Sequence, residues 1–451
     1  MRYVDLYQAT EKIYTRRVRG HFQRLRRWLN WPLMLGFFLL PWINLEGRQA
    51  MLFDLTEQRF HILWKTFWPQ DGILLAWVLI LAAFFLFSLT VWAGRVWCGF
   101  ACPQTIWTLV FGWIEDRCEG DRYQRIRLDA QPWGPKKIYL KTLKHGLWIA
   151  VALLTGATFV GYFYGVRELF TDALALQISL EACFWIAVFA GFTYLNAGFL
   201  REQFCQYMCP YSRIQSVMYD PDSLVVEYDQ ERGQHRSGPS NGGDCVNCDW
   251  CVQVCPAGID IRDGLQAECI NCGLCVDACD NVMDKLEKPR GLIRFAGQGS
   301  AGPWARLLRP RMLGYLTALS LMAGYLVFSV VTWMPLSLDV TRDRGVHLFR
   351  HRNGYVENVY TLKLNYKGSE ADRFHLSVAG SSDYQIVGRQ SVNLTAGESY
   401  SLPVRVKVPE NQVAGKAATI VFELRSESDP SVAAQQVASF IGPAVPLGSG
   451  R

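Results

Sequence analysis

Cysteine is the residue type whose spacing in this chain points most directly to chemistry. All 14 cysteines lie between Cys98 and Cys279, and 12 of them fall into short-spaced sets. One run reads Cys245-Val-Asn-Cys248-Asp-Trp-Cys251-Val-Gln-Val-Cys255-Pro256, and a second reads Cys269-Ile-Asn-Cys272-Gly-Leu-Cys275-Val-Asp-Ala-Cys279. Both are C-x2-C-x2-C-x3-C, the spacing at which three thiolates wrap one cuboidal iron–sulfur cluster while the fourth completes the other. The pattern predicts two [4Fe-4S] clusters, one on Cys245, Cys248, Cys251 and Cys279, the other on Cys269, Cys272, Cys275 and Cys255. Zinc is the competing reading, but zinc motifs use C-x2-C pairs or mixed Cys/His sets, not tandem four-cysteine runs. Interleaved Val246, Val252, Val254, Ile270, Leu274 and Val276 are expected to shield the clusters from water. The second run ends in Asp280 where Pro is usual, which predicts a changed local turn with the ligands intact.

Two further pairs, Cys98/Cys102-Pro103 and Cys205/Cys209-Pro210, share the pattern C-x3-C-P. Residues four apart share a helix face, so the two pairs can converge into a four-thiol cage, a candidate catalytic site. Soft thiolates suit Cu(I), zinc or a further iron–sulfur cluster; a reversible dithiol pair, or cysteines that merely fill small apolar spaces, are the other readings. Cys118 and Cys183 stand alone and read as small hydrophobes, although Cys183 beside Glu181 lies where a metal entering from outside would pass.

The elements that must hold these thiols are apolar. Half the 451 residues are hydrophobic and 16 are Trp, a composition of membrane proteins. A crossing needs about 20 apolar residues, and five runs approach that: Leu29–Leu45, Gly72–Trp92, Gly146–Gly165, Ala182–Leu200 and Met312–Met334. The first is short and carries Pro32 and Pro41, so an interfacial hairpin competes there. Basic residues crowd the N-terminal tail and the connections after the second and fourth runs, and are sparse in the other two connections. Under the positive-inside rule this alternation puts the N-terminus and every grouped cysteine on the cytoplasmic side and the C-terminal segment outside. No cleavable signal peptide is expected, because the first apolar run follows a long basic tail. The segment Thr105–Asp116, with Trp107 and Trp113, reads as a helix in the interface.

Other chemistries are poorly served. The net charge of +6 sits in blocks beside apolar runs, which fits membrane orientation and not a nucleic-acid surface. Of the seven histidines only His145 is near a span edge, so paired haem ligation inside the membrane is excluded as an expectation. Gly297-Gln-Gly299-Ser-Ala-Gly302 matches a dinucleotide fingerprint but lacks the strand and helix that motif needs; it reads as linker, and the electron donor is a separate molecule.

From Leu338 to Gly442 the apolar period changes to two, as in Val359–Tyr366, Phe374–Val378, Tyr400–Val408 and Thr419–Leu424. About seven strands in this length predict an immunoglobulin-like sandwich, without a disulfide because it holds no cysteine. It reads as a partner-binding or supporting domain, with metal handling through His347, His351 or His375 as the lesser alternative. The chain is thus expected to be multi-domain: a cytoplasmic basic tail (1–28), a four-span region with both C-x3-C-P motifs (29–237), a two-cluster ferredoxin-like insert (238–290), a linker (291–311), a fifth span (312–334) and a periplasmic immunoglobulin-like β-sandwich (335–451).

Beyond the cysteine runs, the chain resembles the FixG/RdxA/CcoG family of cbb(3)-type cytochrome c oxidase accessory proteins. The resemblance is carried by Leu40-Pro-Trp-Ile-Asn44, Phe67-Trp-Pro-Gln-Asp71, Gly94-Arg-Val-Trp-Cys-Gly99, Cys102-Pro-Gln-Thr105, Asn196-Ala-Gly-Phe-Leu-Arg-Glu202, Cys205 to Tyr211 and Pro289-Arg-Gly-Leu-Ile-Arg294. It implies a multi-pass protein of the bacterial inner membrane that reduces Cu(II) to Cu(I) for oxidase assembly. The oxidase, or its assembly and copper-transport factors, would then be its partners. Two alternatives stand beside it: a quinol-linked conduit to a periplasmic acceptor, and a non-catalytic assembly scaffold.

Overall fold

The computed structural model describes residues 12–442 apart from 46, 57, 64, 219, 234–242, 298–304, 333–335, 344–349, 353, 369–370, 381–382, 396 and 413–416. The chain divides into two compact units, Met1–Lys65 with Ile73–Tyr325, and Thr66–Gly72 with Leu326–Arg451.

Among the described residues, four helices are long and apolar enough to cross a bilayer: Gly72–Ala93, Pro135–Tyr164 and Leu180–Met208 in the first unit, and Pro310–Val331, which begins in the first unit and ends in the second. They fall on the second to fifth expected spans. The first expected span differs. It lies across a helix His21–Leu39 that holds Arg24, Arg26, Arg27 and Pro32 and passes into a short turn at Leu40–Trp42, so basic residues occupy the first two turns of the helix. It is not among the four. Pro135–Tyr164 and Leu180–Leu195 pack closely, because Gly156 lets the helices approach: a Cβ there would stand 2.7 Å from the Ile186 carbonyl oxygen.

The segment expected at the interface is a helix, Pro103–Cys118, with Pro at its first position and Cys102 before it in extended conformation. Its two tryptophans behave differently. Trp113 is exposed, whereas Trp107 donates Nε1–H to Thr155 Oγ1 at 3.0 Å. Phe111 and Ile114 pack with Trp148, Ala152, Ala190 and Ala197.

The cysteine-rich segment has little regular structure. It contains a one-turn helix Trp250–Gln253, a helix Leu274–Lys285, and an antiparallel strand pair Val225–Tyr228 with Ile293–Ala296 that brackets them. Residues 12–20 run extended beside it: Arg16 N donates to Gln253 O at 2.7 Å, and the Arg16 guanidinium lies 4.1 Å from the Trp250 ring centre. Asp277 then accepts from Phe22 N (3.1 Å) and Gln23 N (2.8 Å), capping the first helix from another element.

The second unit is a two-sheet sandwich. One sheet orders Gln385–Val387, Ser399–Pro409, Tyr355–Tyr366 and Leu336–Arg342, with Arg350–Arg352 also paired to Tyr355–Tyr366; the other orders Ser391–Leu394, Asp372–Gly380, Ala417–Ser426 and Ala433–Ile441. The expected alternating runs all lie within these strands, and among the described residues two short strands add to the seven foreseen. Register is set by cross-strand pairs such as Leu362↔Leu402 and Leu376↔Leu424, which send one face of each strand inward. His375 is exposed on its strand. His347, the His351 side chain and most of the Gly297–Gly302 match lie outside the described residues.

Candidate metal–thiolate centre

The two cysteine runs share a backbone device. Asn247 and Asn271 stand between the first two cysteines of each run with φ of 52° and 51°, and Asp249 and Gly273 follow the second cysteine with φ of 56° and 72°. Two left-handed residues per run, of types that tolerate that region, turn successive thiols inward. The Asn-Cys-Asp/Gly spelling was visible in the sequence, but its conformational meaning was not.

Two cavities result. One is lined by Cys245, Cys248, Cys251 and Cys279 with Val282, Met283, Leu292 and Ile293 among its walls. The other is lined by Cys255, Cys269, Cys272, Cys275 and Cys251, with Val226, Ile259 and Ile261. Cys279 faces Cys251, Cys245 and Cys248, while Cys255 faces Cys272 and Cys269. The fourth thiol of each run therefore stands with the first three of the other.

Burial pushes the thiols of Cys251 and Cys269 up to about 11 and those of Cys255 and Cys279 to about 12. Without a metal they are protonated, and ligation must displace those protons. Among the described residues no three His, Cys, Asp or Glu side chains converge on one ion-sized point. Zinc draws four ligands to about 2.3 Å of one centre. Thiols spread around a cavity, with an apolar wall, fit a polynuclear cluster better.

At Asp280 the structure explains the departure from Pro. Pro256 follows a helix that ends at Gln253, but Asp280 sits inside the continuous helix Leu274–Lys285, and its carboxylate accepts from Gly291 N at 3.1 Å. The change is in the helix as well as the turn, because Asp keeps the backbone N–H that Pro lacks.

The C-x3-C-P pairs also repeat a local design. Thr105 Oγ1 donates to the Cys98 carbonyl at 2.5 Å, and Ser212 Oγ donates to the Cys205 carbonyl and to the Cys209 carbonyl at 3.1 Å. A hydroxyl seven residues after the first cysteine thus closes each loop, a spacing the sequence reading overlooked. Cys98 faces Cys102, Cys205 and Cys209, and burial first, then those thiols, push it up to about 12. Two π-helical turns, Asn196–Leu200 and Phe204–Met208, flank Arg201, whose φ of 38° is strained. Arg201 is fixed by Glu115 Oε2 (3.0 Å) and Gly198 O (3.0 Å), and this bend aims Cys205 and Cys209 at the other pair.

Glu115 is the centre of a charge network that sequence reasoning missed. It is fully buried and paired with Arg125 (3.1 Å) and Arg201 (3.0 Å). Burial works to raise its pKa, but Arg201, Arg125, Lys12 and Lys144 outweigh it and bring it down to about 2. Cys118 is half-buried and Cys183 exposed, and neither joins the cysteine sets. His145 Nδ1 lies 2.9 Å from the Tyr194 hydroxyl.

The second run is seated on the C-x3-C-P loop. Asn271 donates Nδ2–H to Ala93 O (3.3 Å) and Leu224 O (3.4 Å). A Cβ on Gly99 would stand 2.6 Å from Ile270 O and 2.9 Å from Cys272 Cα. Only glycine permits that approach.

The 4Fe-4S dicluster domain family matches residues 200–298, and the family described as "IG-like fold at C-terminal of FixG" matches residues 326–443. The chain is 36% identical over 422 residues to "Nitrogen fixation protein FixG" of Rhizobium meliloti, covering 83% of this chain and 80% of that one. It is also 36% identical over 444 residues to "Protein RdxA" of Cereibacter sphaeroides, covering 94% of each. A solved structure, the FixG-related protein from Vibrio parahaemolyticus, is 29% identical over 24% of this chain and 95% of its own length, with a TM-score of 0.22. With this identity sustained over most of both relatives, the chain belongs to the FixG/RdxA family.

Proposed function

We propose that the protein is an inner-membrane iron–sulfur electron-transfer protein that reduces Cu(II) to Cu(I) in support of cbb(3)-type oxidase assembly. The observation that carries the reading is the regrouping of eight thiols around two cavities, each with the other run's fourth cysteine. Cys245, Cys248, Cys251 and Cys279 would hold one [4Fe-4S] cluster and Cys255, Cys269, Cys272 and Cys275 the other, supplying one-electron transfer with little rearrangement. The chain's own part is to position eight sulfurs and to exclude water with Val226, Ile261, Met283, Leu292 and Ile293, all buried.

Cys98, Cys102, Cys205 and Cys209 face one another at the membrane edge, and drawn together they would offer soft sulfur to copper, with Cu(I) the preferred product state. The clustered arginines support a cytoplasmic location for the N-terminus and every cysteine set, and a periplasmic one for the sandwich. That topology needs five crossings, so the helix His21–Leu39 with the Leu40–Trp42 turn completes the first. The partners are then the oxidase or its copper-delivery factors, and a separate electron donor.

Anaerobically purified protein, given reductant and Cu(II), is expected to form Cu(I), followed with a Cu(I)-selective chelator. Serine replacement of Cys245 or Cys269 should slow that rate severalfold. Unchanged rates in both would remove the copper reading, and quinol-dependent reduction without copper turnover would install the conduit reading in its place.

A further inference from the structure

Two guanidiniums are buried between the second cysteine run and the membrane-edge pairs. Arg26 is 2% exposed and Arg95 5%. Arg26 donates Nε–H to Gly99 O at 2.8 Å and faces Cys272, yet its Nη1 has no hydrogen-bond partner. Arg95 donates Nη2–H to Ser212 O and faces Cys98, Cys205 and Cys269, yet its Nε has none. Among the described residues neither is paired with a carboxylate. A buried cation without a counter-charge is costly, and arginine does not escape by losing its proton. An anion belongs beside each.

The first run is treated differently. The cation facing its Cys251 is Arg262, and Arg262 is already neutralised by Asp260 at 2.6 Å and Asp249 at 2.7 Å. Asp260 also faces Cys251, and Asp280 faces Cys279.

We infer that Arg26 and Arg95 are the counter-cations of the metal–sulfur group held by Cys255, Cys269, Cys272 and Cys275, and make that site the more easily reduced of the two. This rests on the reading of the two cysteine sets as cluster ligands. A guanidinium at a metal–sulfur group stabilises its reduced, more negative form, so the site beside the membrane-edge thiols is the one on which an electron settles. Both arginines are positioning residues. They act on the group's charge and, through Gly99 and Ser212, on the loops that carry the thiols.

The test is a dithionite potentiometric titration of the full chain in detergent, read by electron paramagnetic resonance. Wild type is expected to titrate in two steps. Arg26→Gln should move only the higher step downward, by at least a tenfold fall in the reduced-to-oxidised ratio at fixed potential, about 59 mV for one electron. Arg26→Lys, which keeps the charge, should move it less, and the lower step is the control for folding. If Arg26→Gln does not retain the second cluster, Arg95→Gln carries the same expectation. Shifts of both steps together, of the lower step alone, or of neither overturn the proposal. Wild-type protein lacking the iron and labile sulfide of two four-iron clusters would instead overturn the cluster reading itself, a separate result.

Discussion

In the sandwich, Val356, Tyr360, Leu362, Leu364, Phe374, Val406, Val408, Ile420, Phe422 and Leu424 are all completely buried, and its core is continuous across both sheets. Around the cysteines the apolar clusters are smaller and include cysteine side chains, and Arg26, Arg95, Asn271 and Asp277 are buried beside Val226, Ile261, Val276, Met283, Leu292 and Ile293. The sandwich therefore holds itself together by apolar area, at roughly 25 cal/mol per Å² buried. The cysteine region has smaller apolar clusters and more buried polar and charged groups. On the cluster reading, ligation adds to what these small clusters supply, because a site absent from the unfolded chain converts metal-binding energy into folding energy.

The largest effect should expose that contrast directly. Cys272→Ser, or removal of iron by a chelator after oxidation, is expected to deprotect amides across 245–285 in hydrogen exchange while the strands 355–366 and 417–426 keep their protection. Equal deprotection of both regions would mean that the cysteine segment does not fold on its metal. The converse break is Phe422→Ala. It is buried against Tyr360, with ring centres 5.1 Å apart, and its truncation should cost the sandwich about 3–5 kcal/mol. The visible and paramagnetic signals of the clusters should not change.

The Glu115 network is of intermediate size and depends on pH. Its folded pKa of about 2 lies below its ordinary 4.5, so it contributes stability that is complete above the ordinary value and lost as pH falls from about 5 toward 2. The shift corresponds to about 3 kcal/mol. Glu115→Gln should lower the melting temperature at pH 7 and flatten the acid limb between pH 5 and 3, as measured by thermal denaturation in detergent. An acid limb identical to wild type would assign it to other carboxylates.

How far these two regions could be read from sequence follows the same division. Alternation in Tyr400–Val408 or Thr419–Leu424 is a direct image of a strand with one face inward, so the sandwich was legible in its outline. The four longest apolar runs announced four helices, whereas Leu29–Leu45 falls on the helix His21–Leu39, whose first turns are basic, and on the Leu40–Trp42 turn that holds Pro41, so it lacks the continuous apolar length of the other four. Thiol spacing pointed to two quartets, since ligand geometry constrains sequence locally, and the structure lines two cavities with those thiols. Glu115, Arg26 and Arg95 were not legible. A lone charge in an amphipathic helix or a basic tail reads as solvated, and its burial depends on partners such as Arg201, Gly99 and Cys272 that are distant in sequence. Gly99 stands in a family motif, but its reason is the distant backbone of Ile270–Cys272 pressed against it.

Gly99 offers the finest test of how the two halves of the cysteine region meet. A methyl group there, 2.6 Å from Ile270 O, meets backbone and not the end of a flexible side chain, so the second run must retreat. Gly99→Ala is expected to cost about 1–3 kcal/mol by overpacking and to loosen the Arg26 Nε–Gly99 O bond. The observable consequence is a broadened signal from the second cluster only, with the first cluster and the sandwich unaffected. Asp280→Pro probes the same run from its far end, where losing one helical N–H costs about 3 kcal/mol beside Cys279, which lines the first run's cavity. If Gly99→Ala disturbed the first cluster as strongly as Asp280→Pro, the seating of the second run on the membrane-edge loop would not be the contact that matters. A disturbance confined to the second cluster would identify Gly99 as the contact through which that loop holds it.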